Sequence, residues 1–416
     1  MAKARRSPII SYYAETLEGV ISVRAFGLGS EFVSRYESLR DAREVVEQPL
    51  TMARKWLNLR LDLIHQALIS SQTIFLIYSK ESLTPAMAGL ALFYGRQIIN
   101  TIQSMARNKT NLENDIVAVE RVQEYSDLKE EAKAFTNDAL VLSKIGTNFP
   151  SHGKIEFENY STGYVKSSSQ TENVNEATER FLKNLNLKID PGEKVGIVGR
   201  TGAGKSSLTL ALFRILEPIT GKIFIDGVDI TDIGLIDLRK SLTIIPQDPL
   251  LFSGSLRYNL DPTSTTEVEI TDETLPRYSD ERYWQVLEAA NLKDFIASKT
   301  DKLDFQIEEN GANVSVGQRQ LICLARALLR KSKILVLDEA TAAVDPKTDQ
   351  ILQETIRREF SECTVLTIAH RLNTIIDYDK ILVLDEGKLV EVGSPQKLLA
   401  DGSSRFFSMC RAAGLV

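Results

Sequence analysis

The sequence is poor in cysteine and histidine and carries no excess of basic residues. Its three cysteines, Cys323, Cys363 and Cys410, lie far apart and form no CxxC pair, so we expect neither a disulfide framework nor a zinc site. The formal net charge of −6 argues against a nucleic-acid surface, which would be basic. The start MAKARRSPII has no apolar run behind it and is not expected to act as a signal peptide.

Long apolar runs are also missing. The segments 66–79 and 82–95 are uncharged, but each has 14 residues, fewer than the ~20 needed to cross a bilayer core. Longer windows include Arg60, Asp62 and Arg96, which are costly in lipid unless they face a cavity or another helix. A buried helical hairpin in a soluble protein is one interpretation. A membrane hairpin with both ends cytosolic is the other, and the basic residues near both ends favour it.

The chain divides into three stretches by composition. Residues 1–127 are helix-like, and residues 128–150 form a charged connector. Residues 151–416 alternate short Val/Ile/Leu runs with amphipathic helices and glycine-rich turns, which predicts an α/β domain with a parallel sheet. Two polar insertions, 165–179 and 263–277, lack apolar periodicity and predict solvated loops.

The segment GRTGAGKS is the strongest chemical signal. An apolar strand from Val195 to Val198 leads into this glycine-rich turn and then into a helix. Backbone amides in such a turn point at a bound anion, so the segment predicts polyphosphate binding, as of ATP. Lys205 would place its charge on the phosphates, and the Ser206 hydroxyl would ligate Mg²⁺. The other predicted ATP-binding residues here are Gly199, Thr201, Gly202, Ala203, Gly204 and Ser207.

The string ILVLDE occurs twice, at 334–339 and 381–386. The first copy follows an amphipathic helix. There a buried strand ending in Asp338 would hold Mg²⁺, and Glu339 would polarise the attacking water. The second copy runs into Gly387-Lys388, so its acidic residues are predicted to lie in the turn of a β-hairpin. We therefore assign the chemistry to the first copy.

Two polar residues follow other predicted strands. His370 ends CTVLTIA, where its side chain can reach a γ-phosphate, and Gln247 ends a strand that contains Ile244 and Ile245. Gln247 could contact Mg²⁺ and water, or it could be a plain surface residue. The other histidines, His65 and His152, have no neighbouring ligands, and core or surface roles are favoured for them.

Together these motifs resemble an ABC-transporter nucleotide-binding domain. The resemblance rests on GRTGAGKS, Gln247 in IIPQDP, VSVGQ (314–318), Asp338-Glu339, AAVD (342–345) and His370. GSLRYNLDP, SVGQRQL and LDEATAAVD narrow it to the second such domain of the C subfamily, the multidrug-resistance-associated type. Upstream, SPIISYYAETLEGVISVRAFG and NDIVAVERVQEYSD are similar to that family's last cytoplasmic loop and the exit from its final membrane helix.

The resemblance implies an α/β P-loop NTPase with a parallel sheet core, an antiparallel β subdomain and a helical subdomain, at 151–416. A linker at 128–150 and a partial all-α transmembrane region at 1–127 would precede it. That region would hold the last two membrane helices, about 57–79 and 82–107, and a coupling helix near Ser7–Tyr13.

The resemblance also assigns roles to residues that the motifs alone leave open. Tyr164 would stack on adenine, and Glu339, His370 and Gln247 would be catalytic. Asp345 would lie in a loop that contacts a second nucleotide-binding domain. Magnesium would be held by Ser206, Gln247 and Asp338.

The signature segment would serve the partner's ATP through Ser315, Val316, Gly317 and Gln318. It departs from the general form LSGGQ, since Val314 replaces the leading Leu and Val316 the first Gly. The intact Glu339 implies that the site on this chain's own phosphate loop hydrolyses ATP, with a signature borrowed from another domain.

The function implied is the ATP-hydrolysing part of an exporter in the vacuolar or plasma membrane. Its cargo would be organic anions, conjugates or xenobiotics. Its partners would be a second nucleotide-binding domain, further membrane helices and the bilayer, with no nucleic acid. Two alternatives stay open: a channel-type or regulatory ABC protein, and a truncated fragment without independent transport.

Overall fold

The computed structural model describes residues 6–79, 81, 84–128, 130–146, 149–165, 178–262, 278–338, 346–369 and 371–415. The chain forms two compact units, Met1–Glu130 and Glu131–Val416, which we call the helical unit and the sheet unit. The division falls inside the stretch 128–150 that the sequence predicts as a linker.

The described part of the helical unit consists of α1 (Ser7–Glu18), α2 (Val20–Ala25), α3 (Gly29–Tyr78) and α4 (Pro85–Ser126). Both long helices extend well beyond the apolar segments that suggested them. The reason is that the flanking polar stretches are rich in good helix formers such as Arg, Glu and Leu. Pro49 lies inside α3, where it removes one backbone donor without ending the helix.

Aromatic and polar pairs connect the helices of this unit. Tyr12 of α1 stacks on Phe32 of α3 with ring centroids 5.4 Å apart. Gln72 Nε2 of α3 donates to the Ala91 carbonyl oxygen of α4 at 2.5 Å. Gly95 lies opposite Gln72, and a Cβ there would come within 2.1 Å of the amide oxygen. Glycine at this position therefore permits the close approach of α3 and α4.

Many apolar side chains of the helical unit are exposed. Every hydrophobic side chain that is buried in the described part of the protein belongs to the sheet unit. By contrast, Trp56, Phe75 and Phe93 are exposed. No described helix is both long enough and apolar enough to cross a membrane.

The sheet unit alternates strands and helices along its described residues. Its strands are β1 (Ile155–Val165), β2 (Thr178–Ile189), β3 (Lys194–Val198), β4 (Pro218–Ile225), β5 (Val228–Asp229), β6 (Leu242–Ile245), β7 (Gly254–Ser255), β8 (Gln306–Ile307), β9 (Ile334–Asp338), β10 (Thr364–Ile368), β11 (Lys380–Asp385) and β12 (Lys388–Gly393). Its helices are α5 (Ala139–Ile145), α6 (Lys205–Leu212), α7 (Leu235–Ser241), α8 (Leu256–Leu260), α9 (Asp280–Ala289), α10 (Lys293–Ala297), α11 (Val316–Arg330), α12 (Pro346–Glu359), α13 (Pro395–Ala400) and α14 (Arg405–Ala412).

The central sheet has the strand order β12-β11-β3-β10-β9-β6. All pairs are parallel except β11 with β12. The inner strands are almost continuously buried, as expected for a parallel sheet covered on both faces. The predicted parallel sheet is confirmed.

Two further layers complete the unit. Strands β2-β1-β4-β5 form an antiparallel sheet. Helices α8 to α11 pack around an apolar cluster that includes Leu287, Ile322 and Leu324 and continues to Leu335 of β9. The predicted fold class, with its antiparallel and helical subdomains, is therefore confirmed. Of the two predicted insertions, Val165 and Thr178–Glu179 belong to strands; 166–177 and 263–277 lie outside the described residues.

Residues 131–146 and 149–150 pack as part of the sheet unit. The Thr136 backbone N–H donates to the Asp237 carboxylate at 2.8 Å, and the Gly234 N–H donates to Thr136 Oγ1 at 2.8 Å. Val141 and Ile145 of α5 pack against the apolar core. This stretch is thus anchored at the start of α7 before β1 begins.

Candidate active site

Four neighbouring parallel strands end at one edge of the central sheet. In spatial order they are β3, β10, β9 and β6, and their registers align Ile197, Ile368 and Asp338 across adjacent strands. The carboxyl ends of parallel strands form the usual ligand crevice of an open α/β sheet. The predicted phosphate loop and Gln247 therefore follow strands that end at the same edge as Asp338.

The phosphate loop joins β3 to α6 as the sequence predicts. Gly204 is the N-cap of α6 at φ 98°, and a Cβ there would come within 2.9 Å of the Phe181 carbonyl oxygen. A larger residue would be strained in both respects. Ala203 is buried beneath the loop, whereas Thr201 and Ser206 are exposed. The loop thus presents its polar groups while its backbone packs closely against β2.

A turn from the second ILVLDE copy supports this loop. Glu386 and Gly387, at φ 47° and 79°, connect β11 to β12, which confirms the predicted hairpin. The Gly387 N–H donates to the Ala203 carbonyl oxygen at 3.1 Å. A Cβ on Gly387 would meet the Phe181 carbonyl oxygen at 2.2 Å. The hairpin turn therefore packs directly against the phosphate loop.

The lysines at the start of β3 and at the start of α6 have different surroundings. Lys205, the first residue of α6, donates through Nζ to the carbonyl oxygens of Gly199 at 2.8 Å and Arg200 at 3.2 Å, so its ammonium lies across the phosphate loop. Lys194, the first residue of β3, donates through Nζ to carbonyl oxygens, including that of Phe360 at 2.9 Å. Burial lowers the pKa of Lys194. Of these two lysines, Lys205 is the one that contacts the predicted phosphate loop.

Of the predicted acidic site residues at and after the end of β9, the structure describes only Asp338. Asp338 is the last residue of the buried strand β9 and is itself half-buried. Glu339 and Asp345 lie outside the described residues. The chain continues at Pro346 with α12.

Gln247 is exposed two residues after β6. The preceding residue is held from the helical subdomain, because Gln320 Nε2 of α11 donates to the Pro246 carbonyl oxygen at 3.3 Å. The segment that carries Gln247 is thus in contact with the helix that follows the signature.

His370 lies outside the described residues, but both of its neighbours are fixed. The Ala369 N–H donates to the Ile197 carbonyl oxygen at 3.1 Å. Arg371 Nη1 donates to Asp349 Oδ2 of α12 at 2.8 Å. The backbone around His370 is therefore tied to β3 on one side and to α12 on the other.

The signature forms the start of α11. Ser315 is the N-cap: its Oγ accepts from the Gln318 N–H at 3.2 Å, and Gln318 Oε1 accepts from the Ser315 N–H at 3.0 Å. This capping box satisfies donors that the helix start would otherwise leave unpaired. Val316 and Gly317 follow as the first helical residues. Within the described residues, no hydrogen bond joins this segment to the phosphate loop.

Tyr164 belongs to β1, where its backbone pairs with Glu179 of β2. Its side chain lies outside the described part of the structure. The prediction that it faces adenine stays a prediction.

Sequence reasoning missed two contributions to the site. The repeated ILVLDE string was a visible signal for the hairpin, but not for the contact of Gly387 with the phosphate loop. The Arg371–Asp349 pair had no signal, because neither residue belongs to a motif of its own.

The donor set fits ATP with Mg²⁺. The glycine turn and the helix start offer backbone N–H groups to phosphates, and Ser206 and Asp338 offer the oxygen ligands that Mg²⁺ prefers. The described residues contain no cluster of three or more His, Cys, Asp or Glu side chains that would hold a metal.

Comparison with known proteins agrees with this geometry. A family model for ABC transporters matches residues 182–342. The chain is 47% identical over 410 residues to ATP-binding cassette sub-family C member 3 of Rattus norvegicus, covering 99% of this chain and 25% of the relative. It is 46% identical over 414 residues to metal resistance protein YCF1 of Saccharomyces cerevisiae, covering 99% and 26%. The chain thus spans about a quarter of the length of the curated relatives it matches.

A solved structure is also similar over nearly the whole chain. The structure of a bacterial Atm1-family ABC exporter with ATP bound matches at a TM-score of 0.80 and 26% identity. The match covers 99% of this chain and 68% of that chain. Both the helical unit and the sheet unit are therefore included in the matched region.

Proposed function

We infer that this chain belongs to the C subfamily of ABC transporters and propose that it supplies ATP binding and hydrolysis to an exporter. One observation carries the proposal. The phosphate loop follows β3, Asp338 ends β9, and Gln247 follows β6. These strands end at the same edge of a buried parallel sheet. A site that transfers a phosphoryl group to water needs hydrogen-bond donors to the phosphate, a metal ligand and polar groups in this arrangement.

In this proposal the phosphate loop positions the nucleotide. The amides at the start of α6 and the Lys205 ammonium hold the phosphates, and Tyr164 faces the adenine ring. Ser206, Asp338 and Gln247 would hold Mg²⁺, which neutralises charge on the transferred phosphate. Asp338 ends β9, Ser206 lies in the helix after β3, and Gln247 follows β6, so the three proposed ligands come from strands of one sheet.

Glu339 and His370 complete the reaction in the same proposal. Glu339 directly follows Asp338 and polarises the attacking water, while His370 contacts the γ-phosphate. The fixed neighbours Ala369 and Arg371 keep the His370 segment in place relative to β3 and α12.

The second half of each active site would come from another nucleotide-binding domain. Residues 315–318 form the exposed start of α11, where a helix dipole favours an anion. We propose that they serve the ATP of the partner domain and that Asp345 contacts that domain. The chain alone then hydrolyses ATP weakly or not at all.

We propose that the helical unit works in a membrane among helices outside this chain. Its exposed aromatic and aliphatic side chains support this, as does its match to a solved exporter. Charged residues such as Arg60 and Arg96 would then face neighbouring helices or a cavity. Organic anions, conjugates or xenobiotics are the proposed cargo, across the vacuolar or plasma membrane.

The test compares two glutamates at matching places in the two ILVLDE copies. Phosphate release from Mg-ATP is measured under single-turnover conditions, with the full chain in excess over ATP. Glu339→Gln is expected to bind ATP normally but to lower phosphate release by roughly a hundredfold or more, because it removes the group that polarises water. The control, Glu386→Gln, should release phosphate as the parent does. Where the parent releases measurable phosphate, equal release by Glu339→Gln would contradict the assignment.

A further inference from the structure

Helix α12 is tied twice to the segment that follows His370. Arg371 Nη1 lies 2.8 Å from Asp349 Oδ2, and Arg357 Nη1 lies 2.8 Å from Asp377 Oδ2. Asp349 and Arg357 are eight positions apart and so lie on the same face of the helix. Both contacts therefore hold this face of α12 against residues 371–377.

The two ion pairs differ in burial. The side chains of Arg357 and Asp377 are 54% and 51% exposed, so that pair is screened by water. The Asp349 side chain is only 11% exposed, and Arg371 is 40% exposed. The second carboxylate oxygen of Asp349 is buried and accepts no hydrogen bond within the described residues. Removing Arg371 would leave a buried carboxylate without its counter-ion, which is costly.

The pair of Arg371 and Asp349 joins the residue after His370 to the start of α12. Asp349 is in the first turn of that helix, which begins at Pro346. Arg371 directly follows His370, and its carbonyl oxygen accepts from Thr374 Oγ1 at 2.7 Å. A displacement of Arg371 would therefore also move the start of α12, because the ion pair with Asp349 connects them.

We propose that Arg371 and Asp349 form a positioning pair that couples the segment after His370 to the first turn of α12. The inference rests on the proposed function. When the γ-phosphate fixes His370, the pair fixes the start of α12 as well.

Hydrogen exchange of the full chain, with and without Mg-ATP, tests this coupling. In the parent, Mg-ATP should slow exchange in 199–212, in 364–378 and in the first turn of α12, 346–353. In Arg371→Gln, ATP affinity and the slowing at 199–212 should stay, while the slowing at 346–353 falls roughly fivefold, a typical coupling between sites. Arg371→Lys keeps the positive charge and should recover most of that slowing.

Arg357→Gln is the matched control, because it removes the exposed pair on the same helix face. It should keep the ATP-dependent slowing at 346–353. Full slowing in Arg371→Gln, or an equal loss in Arg357→Gln, would overturn the proposal.

The experiment separates this inference from the proposed function. If the parent shows no slowing at 199–212, ATP binding at the phosphate loop is wrong. The pair of Arg371 and Asp349 is then tested without nucleotide. The backbone amides of 346–353 should exchange faster in Arg371→Gln than in Arg357→Gln. Equal exchange in the two variants would overturn the pair by itself.

Discussion

The two units of this protein bury apolar side chains in opposite ways. The sheet unit encloses its own core, with strands such as β10 buried along their whole length. The helical unit consists of long helices whose Trp56, Phe75 and Phe93 side chains are exposed. The described residues of the sheet unit therefore enclose an apolar core, whereas those of the helical unit leave many apolar side chains exposed.

Truncating one leucine in each unit should give the largest difference between them. Leu324 of α11 is fully buried, and Leu324→Ala should lower the free energy of unfolding by about 3 kcal/mol through lost contacts and a cavity. Leu63 of α3 is 58% exposed, and Leu63→Ala should change the free energy of unfolding by less than about 0.5 kcal/mol.

Urea unfolding can follow the units separately because each contains one tryptophan, Trp56 or Trp284. Trp284 in a Trp56→Phe background reports on the sheet unit, and Trp56 in a Trp284→Phe background reports on the helical unit. Equal losses for the two leucine variants would show that the helical unit has a core of its own.

A second comparison uses glycines with positive φ in each unit. Gly387, at φ +79°, packs against the Phe181 carbonyl oxygen, while Gly27, at φ +67°, has open space around it. Gly387→Ala should cost about 2 kcal/mol and weaken ATP binding, because it adds a clash to the backbone strain. Gly27→Ala should cost about 1 kcal/mol from strain alone. Equal costs in urea unfolding would show that the hairpin does not support the phosphate loop.

Helix caps provide the smallest of these differences. Ser315 makes a two-way capping box, whereas Thr84 Oγ1 accepts from the Met87 N–H at a long 3.4 Å. Ser315→Ala should lower stability by about 1 kcal/mol, and Thr84→Ala by only a few tenths, roughly. Trp284 fluorescence measures the first and far-UV circular dichroism the second. A larger loss for Thr84→Ala would contradict the contrast.

The same contrast explains how much the sequence could predict. In the sheet unit, local patterns were sufficient for the phosphate loop and for the strands that end near Gln247 and Asp338. Glycine spacing and buried apolar runs are local properties that specify a strand–turn–helix. In the helical unit, apolar runs predicted only the middle of α3 and α4, because polar residues with high helix propensity continue both helices.

Long-range contacts were beyond sequence reasoning. Gly387 is 183 positions from Gly204, and a Cβ on Gly204 would still lie only 3.5 Å from the Gly387 Cα. Arg371 and Asp349 likewise meet only because β9 and β10 are neighbours in the sheet. Such pairs depend on strand order, which local patterns do not contain.

The most direct test of ATP binding by the sheet unit is a thermal shift followed through Trp284 in the Trp56→Phe chain. At Mg-ATP concentrations a hundredfold above Kd, binding should stabilise this unit by about 2.7 kcal/mol and raise its Tm. Lys205→Ala should abolish the shift, and Lys240→Ala, at an exposed lysine of α7, should keep it. An absent shift in the parent, or an unchanged shift in Lys205→Ala, would contradict the phosphate loop as the ATP site.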